Sequence, residues 1–84
     1  MTIKAVQQYL NDHKIKTRLR HILQHYTIII NSGVDPIFIR QNEDNLTQLK
    51  LWRVGIPVNK NVYIDLNDSN SFQEILQVIQ KWIK

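Results

Sequence analysis

Three groups of residues have the types and the spacing to do chemistry. His21 and His25 stand four apart, which on a helix puts two imidazoles on one face to grip a metal ion. The residues between them, Ile22-Leu23-Gln24, lack the glutamate of a metalloprotease pair, and no nearby carboxylate offers a third ligand. A solvated pair on a basic helix is expected there, not a metal site. Asp65, Asp68 and Glu74 form the second group. A calcium loop of the EF-hand type needs Gly at its sixth position and Glu at its twelfth; counted from Asp65 these are Asn70 and Leu76. The acidic residues are therefore read as a polar turn leading into a capped helix. With only Gly33 and Gly55, the chain builds no glycine-rich phosphate loop and no nucleophile elbow. With no cysteine it has no thiol nucleophile, no disulfide and no Cys-based zinc site. No catalytic residue, no metal ligand and no cofactor is expected; the chain reads as non-enzymatic.

The third group is basic. Residues 1–26 carry Lys4, Lys14, Lys16, Arg18 and Arg20 against Asp12 alone, which is the whole of the chain's net charge of +4. From Thr27 onward, basic and acidic residues balance. Such one-sided charge is what an anionic partner would feel first. Lys14, Lys16, Arg18 and Arg20 alternate with Ile15, Thr17 and Leu19. On a strand all four charges would line one face about 7 Å apart, a good rail for phosphates. On a helix they would split to either side of an apolar stripe, with their stems covering its edge.

Aromatic residues supply the fourth signal. If Ile37 and Ile39, Leu49 and Leu51, and Val62 and Ile64 face a core, then Phe38, Trp52 and Tyr63 face away, interleaved with Arg40 and Lys50. Bases of single-stranded nucleic acid stack on surfaces of that type while cations hold the phosphates. The same residues serve cross-strand pairing, or a protein contact.

The elements that must position these groups follow from periodicity. Thr2 is expected to cap a helix carrying Ile3, Val6 and Leu10 at helical spacing. Over residues 14–26 Ile15, Leu19, Ile22, Leu23 and Tyr26 fall within an arc of roughly 100° on a helical wheel. That favours a second helix, capped by Asp12, over the competing strand. Runs at 27–31, 36–41, 46–54 and 62–66 are β-rich. They are separated by Ser32-Gly33-Val34-Asp35, by Asn42-Glu43-Asp44-Asn45, and by Gly55-Ile56-Pro57 with Asn59-Lys60-Asn61, so an antiparallel meander of about four strands is expected. Ser71-Phe72-Gln73-Glu74 has the form of a capping box opening a last helix. Phe72, Ile75, Leu76, Val78, Ile79, Trp82 and Ile83 share a broad apolar face of about 160° on that helix.

At 84 residues, 43% hydrophobic and 21% charged, the chain is sized for one small α+β domain over residues 1–84. The expected architecture is an N-terminal helical segment or segments, the meander, and a C-terminal amphipathic helix packed on one face. No apolar run approaches membrane-spanning length and no secretory signal is visible, so a soluble cytoplasmic location with no membrane contact is expected. The order helix, strands, helix resembles that of double-stranded RNA-binding domains. The lysine cluster those domains place at the start of the last helix is missing, and so is any RNP-type aromatic motif; no family is identified. Two functions remain. A binding module would contact nucleic acid through Lys14, Lys16, Arg18, Arg20, Phe38, Arg40, Lys50 and Trp52. Alternatively, a protein-interaction domain, acting as a regulator or inhibitor of a larger protein or as a homodimer, would use Tyr63, Val78 and Trp82. A contiguous basic surface favours the first, and an uncovered apolar patch of several hundred Å² the second.

Overall fold

The computed structural model of the protein describes residues 3–22, 25–31, 35–55 and 60–83. Its elements run α1 (Ile3–Asp12), β1 (Arg18–Ile22), β2 (His25–Asn31), β3 (Pro36–Gln41), β4 (Gln48–Arg53), β5 (Val62–Asp65) and α2 (Ser71–Ile83). The strands form one sheet in chain order, and each pairs antiparallel with the next. The α+β class stands; the sheet has five strands, not four.

The added strand is the main correction. The second helix expected over 14–26 does not form, because α1 closes on itself at residues 13–15. The Ile15 N–H donates to the Leu10 carbonyl at 3.0 Å and the Lys14 N–H to the Asn11 carbonyl at 3.0 Å, with Lys14 at φ 67°. That is a Schellman closure with a lysine in the left-handed position usually held by glycine. Past it, Arg18–Ile22 pairs with β2 in the register Arg18↔Ile29, Leu19↔Ile28, Arg20↔Thr27. Thr17, His21, Ile22, Tyr26 and Thr27 are all modest helix formers, so local propensity opposed the helix that the apolar spacing allowed. The β2 run Thr27-Ile28-Ile29-Ile30 then supplied a hydrogen-bonding edge that no local pattern reveals. Asp12 is the last residue of α1 and caps nothing beyond it.

The other strands lie where alternation puts them. The turn between β3 and β4 is built on asparagines: the Asn42 N–H donates to the Gln48 carbonyl at 2.9 Å, and the Asn42 side chain accepts from the Asp44 N–H at 3.1 Å. At the start of α2 the Glu74 N–H donates to the Asn70 carbonyl at 3.0 Å, so Asn70 holds the cap position and Ser71 is the first helical residue, fully buried. The expected Thr2 cap, the 32–34 portion of the first turn, residues 56–59 of the last connection, and Leu23 lie outside the described residues.

The core joins α1 and α2 to one set of strand positions. Val6 and Leu10, with Ile75 and Ile79, cluster with Ile28, Ile30, Ile37, Ile39, Leu49, Leu51 and Ile64, all essentially inaccessible. Each strand residue in that set alternates with one on the opposite face. The Tyr9 and Phe72 rings stack at 4.8 Å between centroids, linking the two helices. Arg53 Nη1 donates to the Trp82 carbonyl at 3.0 Å, placing a cation at the carbonyl-rich end of α2.

Candidate functional site

The sheet face opposite the core is where the sequence's charge and aromatic signals meet. Cross-strand register sets its side chains in rows. One row runs Arg18, Ile29, Phe38, Trp52 across β1 to β4. The next runs Arg20, Thr27, Arg40, Lys50, Tyr63 across all five strands. A further pair, Gln48 and Asp65, lies beyond on β4 and β5. Neighbours in a row are one strand spacing apart, about 4.8 Å, and the rows are about 7 Å apart.

Packing within these rows is specific. The Phe38 and Trp52 rings stack with centroids 5.2 Å apart and planes inclined by 19°. Arg40 Cζ lies 5.4 Å and Lys50 Nζ 5.2 Å from the centroid of the Trp52 ring, so one indole holds two cations. Thr27 is only 3% exposed although it lies on the open face, between Arg20 and Arg40 in register.

Electrostatics on this face are lopsided. Arg40 and Lys50 are directly opposite each other in register. Like charges in that relation repel, and here both lie beside the Trp52 indole of the adjacent row. Glu43 offsets one of them in part: its Oε1 lies 3.5 Å from Arg40 Nη2 and 3.9 Å from His25 Nε2. Arg40 Nε is buried with no hydrogen-bond partner among the described residues. Among the described residues the cations of the face are Lys16, Arg18, Arg20, Arg40 and Lys50, and its acidic members are Glu43 at one corner and Asp65 at the β5 end.

The structure gathers most of the sequence-predicted nucleic-acid residues and leaves one out. Arg18 and Arg20 are exposed on β1 and share the face with Phe38, Arg40, Lys50 and Trp52. Lys16, also exposed, precedes β1 and lines an open depression of about 620 Å³ with Thr17, Arg18, Ile29 and Asn31. Lys14 is in the turn closing α1, so the four-residue rail shortens to Lys16, Arg18 and Arg20. Of the protein-contact residues, Tyr63 is on this same face, 48% exposed and opposite Lys50. Val78 and Trp82 pack against the core cluster. Sequence reasoning missed Glu43, whose role depends on the turn that brings it beside Arg40.

Other candidate groups disperse. His21 and His25, placed together by a helix, fall on opposite faces once β1 and β2 form; the His21 ring stacks on Tyr26 at 4.7 Å and His25 approaches Glu43. Among the described residues no three His, Cys, Asp or Glu side chains gather to hold a metal ion. Asp65 and Asp68 accept the backbone N–H groups of Asn67 and Asn70, each at 2.9 Å. Glu74 is raised from its ordinary value, first by burial, then by the charge of Asp68 and a hydrogen bond to it. The larger exposed apolar side chains, Tyr26, Leu46, Val54, Tyr63 and Ile83, belong to separate elements and turns. No helix among the described residues is long and apolar enough to cross a membrane. Compared with known protein families, with curated proteins and with solved structures, the chain matches none.

Proposed function

We propose that the protein is a small non-catalytic binding module that takes single-stranded nucleic acid across the open face of its sheet, in the cytoplasm. The observation that carries this reading is the arrival of β1 in the sheet. It sets Arg18 and Arg20, with Lys16 beside them, on the same side as Arg40, Lys50, Phe38, Trp52 and Tyr63. Cations within about 20 Å of one another on a flat aromatic floor match a chain of phosphates with bases attached. With α1 and α2 packed on the other face, nothing in the helices competes for this one.

The protein-contact alternative has less to draw on. Val78 and Trp82 pack against the core, and among the described residues the larger exposed apolar side chains belong to separate elements and turns. The test is fluorescence anisotropy of labelled single-stranded RNA and DNA at about 50 and 200 mM salt. Binding that weakens steeply between the two is expected; absence of binding at the lower salt refutes the proposal and moves the search to protein partners, self-association first.

A further inference from the structure

We infer that Tyr63 is the ring on which a base stacks, and that Trp52 serves the face as a spacer holding Arg40 and Lys50 as a clamp on one phosphate. This rests on the nucleic-acid reading above and divides the labour within it. Trp52 is the larger ring, and the sequence alone nominates it for stacking. Its contacts, however, are already made inside the protein: Phe38 lies against it at 5.2 Å, and two cations sit 5.4 and 5.2 Å from its centroid. A base reaching that ring has to displace a cation to do so, and then loses the cation's hold on its own phosphate.

Tyr63 is in the opposite situation. At 48% exposure it is more exposed than any other Tyr, Phe or Trp ring among the described residues, and no described ring or cation packs on it. It stands next to Lys50 in the same row, one strand spacing from the clamp. Phosphate at Lys50 and base at Tyr63 therefore belong to adjoining parts of one nucleotide. The clamp itself has reason to take an anion. Arg40 and Lys50 oppose each other in register, and among the described residues no carboxylate pairs with Lys50. An anion between two like charges turns a repulsion into two attractions.

Length follows from the register. From Arg20 on β1 to Tyr63 on β5 is four strand spacings, about 19 Å. An extended single strand covers that with roughly three to four nucleotides, near the small end of single-strand site sizes. One end of the ligand meets Arg18 and Arg20, its middle the clamp, and its other end the tyrosine.

The experiment compares a labelled six-nucleotide oligothymidylate with a six-unit abasic deoxyribose-phosphate strand. Both are titrated with wild type, Tyr63→Ala, Tyr63→Phe and Trp52→Leu, each variant first shown by thermal melting to be folded. Tyr63→Ala is expected to weaken oligothymidylate binding by about tenfold or more, with the abasic affinity and the salt slope unchanged, and Tyr63→Phe to bind as wild type. Trp52→Leu is expected to weaken both ligands and to flatten the salt slope, because its effect passes through the cations. Wild-type binding that Tyr63→Ala leaves intact overturns the assignment while leaving the nucleic-acid reading in place. A Trp52→Leu loss confined to the base-bearing strand overturns it too. Binding of neither strand by wild type sinks both.

Discussion

Replacing Arg18 and Arg20 together by alanine tests whether the sheet face, and β1 in particular, is where phosphates bind. Both side chains are exposed, and the β1–β2 hydrogen bonds are made by backbone, so the double variant is expected to fold. Five cations, Lys16, Arg18, Arg20, Arg40 and Lys50, lie on or beside the face. With Arg40 and Lys50 sharing one phosphate and the other three cations taking one each, four phosphates of a single strand are neutralised, and the logarithm of affinity falls with the logarithm of salt with slope about −2.8. Raising salt from 50 to 200 mM then weakens binding about 50-fold. With two contacts removed the slope drops to about −1.4, and the same change in salt costs about 7-fold. Anisotropy titrations of a fluorescein-labelled oligothymidylate at four salt concentrations give both slopes. A wild-type slope shallower than about −1, or one that the double variant leaves unchanged, refutes the reasoning: the cations would then be solvated surface charge without a role in contact.

Three further outcomes are expected. Glu43→Gln removes the carboxylate beside Arg40 and His25, and should raise oligonucleotide affinity by about two- to fivefold while changing the urea midpoint little, since Glu43 is exposed; unchanged or weaker binding counts against Arg40 as a phosphate contact. Lys14→Gly should stabilise the fold by about 1 kcal/mol, read as a higher urea midpoint at constant slope, because φ 67° costs glycine nothing. The same variant should bind nucleic acid nearly as wild type does; a large loss would return Lys14 to the interface. Glu74 is raised above its unfolded value, so its favourable contribution is complete below the ordinary carboxylate range and is lost as pH rises through the raised value. Glu74→Gln should therefore be the more stable protein at pH 7, its advantage shrinking as pH falls toward 4; a less stable variant at pH 7 would contradict the direction of the shift.

How much of this was legible in the sequence depends on where each signal resides. β3, β4 and β5 were readable because Ile37-Phe38-Ile39, Leu49-Lys50-Leu51 and Val62-Tyr63-Ile64 alternate and are bounded by polar turns. The outward side of each strand followed from the same alternation, and with it the pairing of Phe38, Arg40, Lys50 and Trp52 on one face. β1 was not readable that way. Ile15, Leu19, Ile22, Leu23 and Tyr26 satisfy a helical period, and the stop signal that contradicts them is a lysine in a conformation where glycine is the usual marker. What decides the strand is the open edge of Thr27-Ile28-Ile29-Ile30, a fact about partners and not about the segment. The alternating charges Lys16, Arg18 and Arg20 carried the correct period all along, outnumbered by apolar residues that fitted another.

Once β1 is a strand, its arginines invite a simpler explanation, since charged residues on an edge strand discourage pairing with other chains. Edge protection accounts for Arg18 and Arg20 equally well, whether or not a ligand exists. It does not reach Arg40 and Lys50. These stand on β3 and β4, inside a five-stranded sheet, where no edge needs guarding and where opposed cations are a cost. The neighbouring turn brings a carboxylate to Arg40, while Lys50 Nζ lies 5.2 Å from the centroid of the indole. A sheet selected only for stability would place an aromatic, a threonine or an opposite charge at one of the two positions. On the proposed reading, the two opposed cations beside an exposed tyrosine are explained by an anion that the surface meets.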